Sequence, residues 1–295
     1  MQTVITATLA HRQLYRFRYH QAKIRLILRE DIKHSHFGPL VDFLALVPSE
    51  TPHQYFQGGM RMSEAGRGKR GQKAPDGMRA TSDNIGSGGI MFSREGMIVR
   101  SKNNFANKLA AFALQGVKQN KDRHEAVQKF MLANDTVTVA TEVPVYIKRD
   151  GLLHMQSQLG FEFYKKQGKG IEKIEREDDL PRLITGHIDL VQVRNGQIHI
   201  LDYKPNAAKE KPIEQLTLYA MALSRLTGLR MYCFKCAWFD EKDYFEFFPL
   251  HVVYKGRGKK RKARSDRKQI TTQEGVYRIN ESALKIEQVR PATAR

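Results

Sequence analysis

Asn195-Gly196 stands between two apolar runs rich in β-branched residues, Ile184–Val193 and Gln197–Tyr203. Such a pair suits a two-residue hairpin turn, whose central residues take positive φ, so the runs read as two strands of a tight hairpin. After the hairpin, Pro212 opens a helix at a favoured first-turn position, and Glu214 follows where the helix dipole favours an acid. The helix is expected to run to about Leu226 and to stop at Gly228. Leu229–Trp238 and Tyr244–Val253 read as two more strands about a turn at Asp240–Lys242.

Upstream of this block the pattern is more mixed. Thr3–Leu9 and Lys23–Arg29 read as short β elements, and Phe37–Leu46 as a helix stopped by Pro48. Residues 57–89 are rich in Gly, Ser, Lys and Arg and poor in aliphatics, the composition of a flexible loop. Met91–Val99 suits a strand or hairpin. Leu109, Phe112, Ala113 and Leu114 recur at helical spacing within Phe105–Val117. A second helix is expected over Asp122–Leu132, with Ala126, Val127, Phe130 and Met131 inward. Thr136–Ile147 alternates like a strand, and the charged stretch Phe161–Asp179 suits a projecting hairpin or loop. No internal repeat is visible. The chain thus divides into an N-terminal region, 1–98, a core, 99–254, and a basic C-terminal part, 255–295.

Charge narrows the class of partner. The chain has 295 residues with 50 Lys and Arg against 31 Asp and Glu, a formal net charge of +19. Much of it is concentrated. Lys255–Lys268, KGRGKKRKARSDRK, carries nine basic residues and one Asp, and Arg61–Arg79 carries six basic and two acidic residues. A basic run of that density suits a polyanion, nucleic acid first, with Lys255, Arg257, Lys259, Lys260, Arg261, Lys262 and Arg264 as candidate phosphate contacts. With 41% hydrophobic residues the chain can bury a core, which excludes a wholly disordered protein. No run of about 18 apolar residues marks a membrane span, and the N-terminus lacks the pattern of a signal peptide. Two cysteines exclude a disulfide scaffold and point to a reducing compartment, so a cytoplasmic protein is expected, or a nuclear one in a eukaryote.

The chemistry gathers at the hairpin. Asp189 lies in its first strand, and Asp202 and Lys204 end the second. Residues two apart on a strand share a face, so Asp202 and Lys204 converge on one patch, beside Asp189 if the register allows. Two close carboxylates suit a hard divalent cation, and a Lys next to it can orient a water or stabilise charge on a phosphoryl oxygen. Gln215 and Tyr219, four apart on the following helix, share a face that can pack over this patch. Glu142, flanked by apolar and β-branched residues in Thr141-Glu142-Val143, is an inward charge that wants a cation.

These residues carry a resemblance. Gly186-His187-Ile188-Asp189, then Asp202-Tyr203-Lys204, then Gln215 and Tyr219 in Gln215-Leu216-Thr217-Leu218-Tyr219, resemble the GxxD, DxK and QxxxY motifs of the RecB-type branch of the PD-(D/E)XK nuclease superfamily. The likeness spans about Asp122–Tyr254. It implies an α/β fold, a restriction-endonuclease-like core of mixed β-sheet flanked by helices, here with an extra N-terminal β-containing region. It implies that Asp189 and Asp202 bind Mg²⁺ or Mn²⁺ with the Tyr203 carbonyl, and that Glu142 is a further ligand, directly or through water. It also implies that Lys204 acts on the attacking water and that Gln215 and Tyr219 support the site or touch DNA. A His or Glu on the preceding helix belongs to the same pattern, and His124 and Glu125 are the candidates. Asn104 stands where a related helix start carries an acid, so no ligand is placed there.

Other metal-like pairs stay structural in this reading. Cys233 and Cys236 form one CxxC without a second pair, so an all-Cys iron–sulfur cluster within the chain is not expected. His34 and His36 have no partner ligands in view. No P-loop is present, so any helicase motor would be a separate protein. The function expected is metal-dependent hydrolysis of DNA phosphodiester bonds. The alternative is a non-catalytic or RNA-directed nucleic-acid-binding protein with a nuclease-like core. Exo- or endonucleolytic action and oligomeric state are open at this level.

Overall fold

The structure is a computed structural model. It describes residues 3–30, 32–58, 60–61, 90–92, 99–167, 170–253, 269–272, 275–280 and 285–291. The basic run Lys255–Lys268 and nearly all of the expected loop at 57–89 lie outside the described residues.

The chain forms two units, Met1–Lys255 and Gly256–Arg295. The first begins with a hairpin, β1 (Val4–His11) and β2 (Gln13–His20), followed by helices α1 (Gln21–Glu30), α2 (Gly38–Glu50) and α3 (His53–Gly58). Short strands β3 (Met60–Arg61), β4 (Met91–Phe92) and β5 (Arg100–Ser101) precede α4 (Phe105–Leu114) and α5 (Arg123–Asn134). Then come β6 (Thr138–Lys148), α6 (Arg149–Leu159) and the hairpin β7 (Phe163–Gln167) and β8 (Gly170–Lys173). The informative block follows as β9 (Leu183–Arg194), β10 (Gln197–Tyr203), α7 (Ile213–Thr227), β11 (Phe234–Phe239), β12 (Tyr244–Phe247) and α8 (Pro249–Val253). The second unit is an antiparallel sheet of β13 (Gln269–Thr272), β14 (Gly275–Asn280) and β15 (Lys285–Pro291).

Among the described residues the main sheet runs β1-β2-β6-β9-β10-β11-β12-β5, with β3 beside β9. The β9–β10 hairpin turns at Asn195 and Gly196, both at positive φ (53° and 71°), as the Asn-Gly pair predicts. His34 Nε2 accepts the Gly196 N–H at 2.9 Å, which gives His34 a structural task at the turn. β10 and β11 are parallel neighbours, which requires a crossover, and α7 supplies it. Alternation along β10 sends its side chains two ways. Ile198 and Ile200 join Val143, Val145, Leu216 and Leu223 in one core, while Leu201 and Tyr203 join Leu109, Val127 and Met131 of α4 and α5 in another. Each fully buried Leu contributes about 2 kcal/mol of burial. This is the mixed sheet flanked by helices that was expected, with β1 and β2 as the extra N-terminal β region.

Several local expectations are corrected. Lys23–Arg29 is helical, within α1. The strand reading is overridden because Ile24 alone of the run is fully buried while Lys23 Nζ donates to the Leu132 and Asp135 carbonyls at 2.6 and 2.7 Å, at the C-terminal end of α5. Helix α2 passes through Pro48. Pro48 falls in the last turn, where Ser49 and Thr51 hydroxyls donate to the Leu46 and Val47 carbonyls (3.2 and 2.6 Å). The stretch Tyr244–Val253 is a strand only to Phe247, because Pro249 starts α8 at the first helical position. Leu229–Trp238 becomes a strand only from Phe234, after a 3-10 turn over Met231–Cys233. Of the apolar residues at helical spacing in α4, Leu109 is buried and Phe112 is exposed.

Candidate active site

Asp202 sits in the last turn-facing part of β10, buried to 3% exposure, with Leu201 and Tyr203 anchoring the strand from the other side. Lys204 follows the strand, and its backbone N–H donates to the Phe239 carbonyl of β11 (2.9 Å). The expected shared patch forms, with Lys204 Nζ 2.9 Å from Asp202 Oδ2. That contact is an ion pair between two largely buried side chains, 14% and 4% exposed. The register brings Asp189 against the patch. Asp189 lies near enough for its charge to act on Asp202, and its Oδ2 accepts the Tyr203 N–H at 3.2 Å. In an extended strand N–H and C=O of one residue point to the same side, so the Tyr203 carbonyl also faces β9.

Glu142 lies in β6 between Thr141 and Val143, which pair with Leu190 and Ile188, so it comes opposite Asp189. Its backbone is left-handed, φ 52°, a conformation rarely taken by a residue with a side chain. Helix α5 closes the site. His124 Nδ1 stands 3.4 Å from Asp189 Oδ2, and Gln128 Nε2, one turn later, donates to Glu142 Oε1 at 2.6 Å. The start of α5 is held by Arg123, which donates to the Tyr203 hydroxyl (2.9 Å from Nη2) and pairs with Glu241. The ring of His124 packs edge-on against Tyr203.

The electrostatics follow from three crowded carboxyls, Asp202 buried and Asp189 and Glu142 half-buried. Burial, and then the charge of Asp189, pushes Glu142 up to about 8. Burial likewise raises Asp202 to about 7, with Lys204 opposing and Asp189 assisting. Burial alone would raise Asp189 as well, but the hydrogen bond and charge of His124 outweigh it and hold the carboxyl near 2. Burial disfavours the Lys204 ammonium, yet Asp202 and Asp189 more than compensate and raise its pKa. The site therefore holds mutually repelling acids around one ammonium.

These groups suit a hard divalent cation. Among the described residues no group of three or more His, Cys, Asp or Glu closes around an ion. Mg²⁺ does not need such a cage, since it keeps several waters and binds through one or two carboxylates plus substrate phosphate. Asp189 and Asp202, with the Tyr203 carbonyl, are the groups that could hold such an ion.

The structure resolves the choice between His124 and Glu125. His124 faces the carboxyls, whereas Glu125 points to Arg16, Arg18 and Lys129. Gln128 was not foreseen; its position one turn after His124 was the available signal. Gln215 and Tyr219 sit one turn apart on α7, and Gln215 Nε2 donates to the Tyr219 hydroxyl at 3.0 Å. Tyr219 is buried in the α7 core. Asn104 caps α4, accepting the Ala106 N–H at 3.1 Å. Cys236 Sγ donates to the Leu216 carbonyl, and Cys233 is buried in the turn before β11. The basic candidates Lys255, Arg257, Lys259, Lys260, Arg261, Lys262 and Arg264 lie outside the described residues. No described helix is long and apolar enough to cross a membrane.

Comparison with known proteins agrees with this geometry. No match was found among curated proteins or among solved structures. The family model for the PD-(D/E)XK nuclease superfamily matches residues 102–286, well over half of the chain and inclusive of Glu142, Asp189, Asp202 and Lys204. The chain belongs to the PD-(D/E)XK nuclease superfamily.

Proposed function

We propose that the chain is a divalent-metal-dependent deoxyribonuclease, and that it belongs to the RecB-type branch of its superfamily. The observation that carries the reading is Lys204 Nζ 2.9 Å from Asp202, with Asp189 held on the backbone of the intervening Tyr203 at 3.2 Å. The branch assignment is supported by His124 at Asp189 and by Gln215 bonded to Tyr219. Asp189, Asp202 and the Tyr203 carbonyl would hold Mg²⁺ or Mn²⁺, with Glu142 directly or through water. When bound, such an ion would supply polarisation of the scissile phosphate and acidification of a water. Lys204, kept charged by the two acids, orients the attacking water and offsets negative charge on the phosphoryl oxygens. His124 fixes the Asp189 carboxylate, and Gln128 fixes that of Glu142. The Arg123–Tyr203–Glu241 knot holds the helix that presents both. The basic run Lys255–Lys268 would grip the phosphate backbone without choosing sequence.

A cleavage assay on linear and circular DNA with Mg²⁺, Mn²⁺ or EDTA tests the reading. Cleavage in either metal and none in EDTA is the expected result. Attack restricted to linear DNA would assign an exonuclease, and robust cleavage in EDTA would overturn the metal dependence.

A further inference from the structure

The N-terminal hairpin lies before the matched residues 102–286, yet it reaches the candidate site. Arg18 of β2 pairs with Thr141, the neighbour of Glu142, and its charge favours the ionised form of Glu142. Along β2 the buried Phe17 and Tyr19 alternate with Arg16 and Arg18, so the two guanidiniums share a face. On α5, His124 and Gln128 address the carboxyls, while Glu125 and Lys129 occupy the adjoining stripe.

These charges meet at one atom. Arg16 Nη1, Arg18 Nη2 and Lys129 Nζ lie 2.8, 2.9 and 3.0 Å from the same oxygen, Glu125 Oε1. Three cations face one carboxylate, which leaves a local excess of +2 beside the candidate metal ligands. Arg18 is nearly buried, with 10% side-chain exposure, and its Nη1 has no hydrogen-bond partner among the described residues. A buried guanidinium N–H without an acceptor is costly, and a phosphate supplies several acceptor oxygens where a carboxylate here supplies one. A tether between β2 and α5 would need only one of the three cations.

We propose that Arg16, Arg18 and Lys129 form a seat for a backbone phosphate of the nucleic-acid substrate, next to the scissile one, and that Glu125 is its internal stand-in. The proposal rests on a nucleic-acid substrate for the neighbouring site. On binding, the phosphodiester takes the place of the Glu125 carboxylate, and the seat sets the strand's register relative to Asp189 and Asp202. Arg16, Arg18 and Lys129 are thus positioning residues, with no part in bond breaking.

The test is binding of a 30-nucleotide DNA, single-stranded and duplex, to the full chain in EDTA at several salt concentrations, so that the readout is independent of hydrolysis. Arg16→Gln combined with Lys129→Gln removes two exposed cations. It is expected to weaken binding about tenfold at low salt and to lower the log–log salt slope by roughly 0.7–0.9 for each phosphate no longer neutralised. Glu125→Gln is expected to act oppositely, with severalfold tighter binding and a steeper slope. In Mg²⁺ the double variant should raise KM. Unfolding curves confirm that each variant is folded, and the two exposed positions keep the test valid if Arg18→Gln does not fold. Weaker or unchanged binding by folded Glu125→Gln, with an unchanged slope for the double variant, would reduce the cluster to a tether and overturn the proposal. DNA binding with these shifts but no cleavage in Mg²⁺ or Mn²⁺ would support the seat and overturn the hydrolytic reading. Cleavage with unmoved slopes would do the reverse.

Discussion

Glu142 accepts a 2.6 Å hydrogen bond from Gln128 while holding a left-handed backbone, φ 52°. The conformation costs a residue with a Cβ about 1–2 kcal/mol. Burial and Asp189 add to the cost by disfavouring its carboxylate. Strain kept at such a position points to function. Glu142→Gly removes both costs, so the variant is expected to melt at or above the wild-type temperature while cleavage falls at least a hundredfold. Thermal unfolding beside a cleavage assay checks it. A clear loss of stability with full activity would contradict the role given to Glu142.

Lys204 has its charge fixed between Asp202 and Asp189. Lys204→Met keeps the stem and removes the ammonium. The expected result is a fall in kcat of about 10²–10³, the size found for removal of one preorganised electrostatic group, with DNA affinity within a few-fold of wild type. Single-turnover kinetics with bound DNA measures the first, and titration in EDTA the second. Equal losses in both would make Lys204 a binding residue.

His11 is buried between two other imidazoles, 2.8 Å from His187 and 2.9 Å from His53, and is stacked on Phe56. Burial first, and His53 second, lower its pKa to about 4 from the ordinary 6.5. The unfolded chain therefore binds the extra proton between these values, and stability is lost as pH falls from 6.5 towards 4. The loss should be of order 1 kcal/mol. His11→Phe, which keeps the stacking surface, should flatten this part of the stability profile. Denaturant unfolding at pH 7, 6, 5 and 4 compares the two proteins, and parallel profiles would remove His11 as the titrating group.

Replacing the basic residues of Lys255–Arg267 by Ser or Gly should weaken DNA binding evenly across sequences. It should also flatten the salt dependence, by roughly 0.9 in slope for each duplex phosphate no longer neutralised. Turnover at saturating DNA should change little, because this run lies outside the Asp-Asp-Lys motif. Binding at several salt concentrations decides it. An unchanged slope would make the run a solubilising segment.

The hairpin was legible because Asn195-Gly196 is a local signal that tertiary contacts reinforce, and the pairing of Asp202 with Lys204 followed from strand alternation alone. Other features depend on partners distant in sequence. Nothing near Glu142 announces its left-handed backbone, which arises where β6 meets β9 opposite Asp189. The choice of His124 over Glu125 depends on the rotation of α5, which the Arg123 contacts to Tyr203 and Glu241 set. Lys23–Arg29 reads as a strand, but its Lys caps another helix and a single Ile is fully buried. Arg16 and Arg18 look like ordinary surface charges until β2 is placed beside β6.

The central claim is that the Asp189–Asp202 pair binds the metal that supports cleavage. The most direct measurement is Mg²⁺- and Mn²⁺-dependent cleavage of linear DNA by purified wild-type chain and by Asp202→Asn, each shown to be folded and to bind DNA in EDTA. Cleavage by the wild type that EDTA abolishes is expected, with a loss of at least a thousandfold in Asp202→Asn and DNA binding retained. Cleavage by Asp202→Asn at the wild-type rate would contradict the claim.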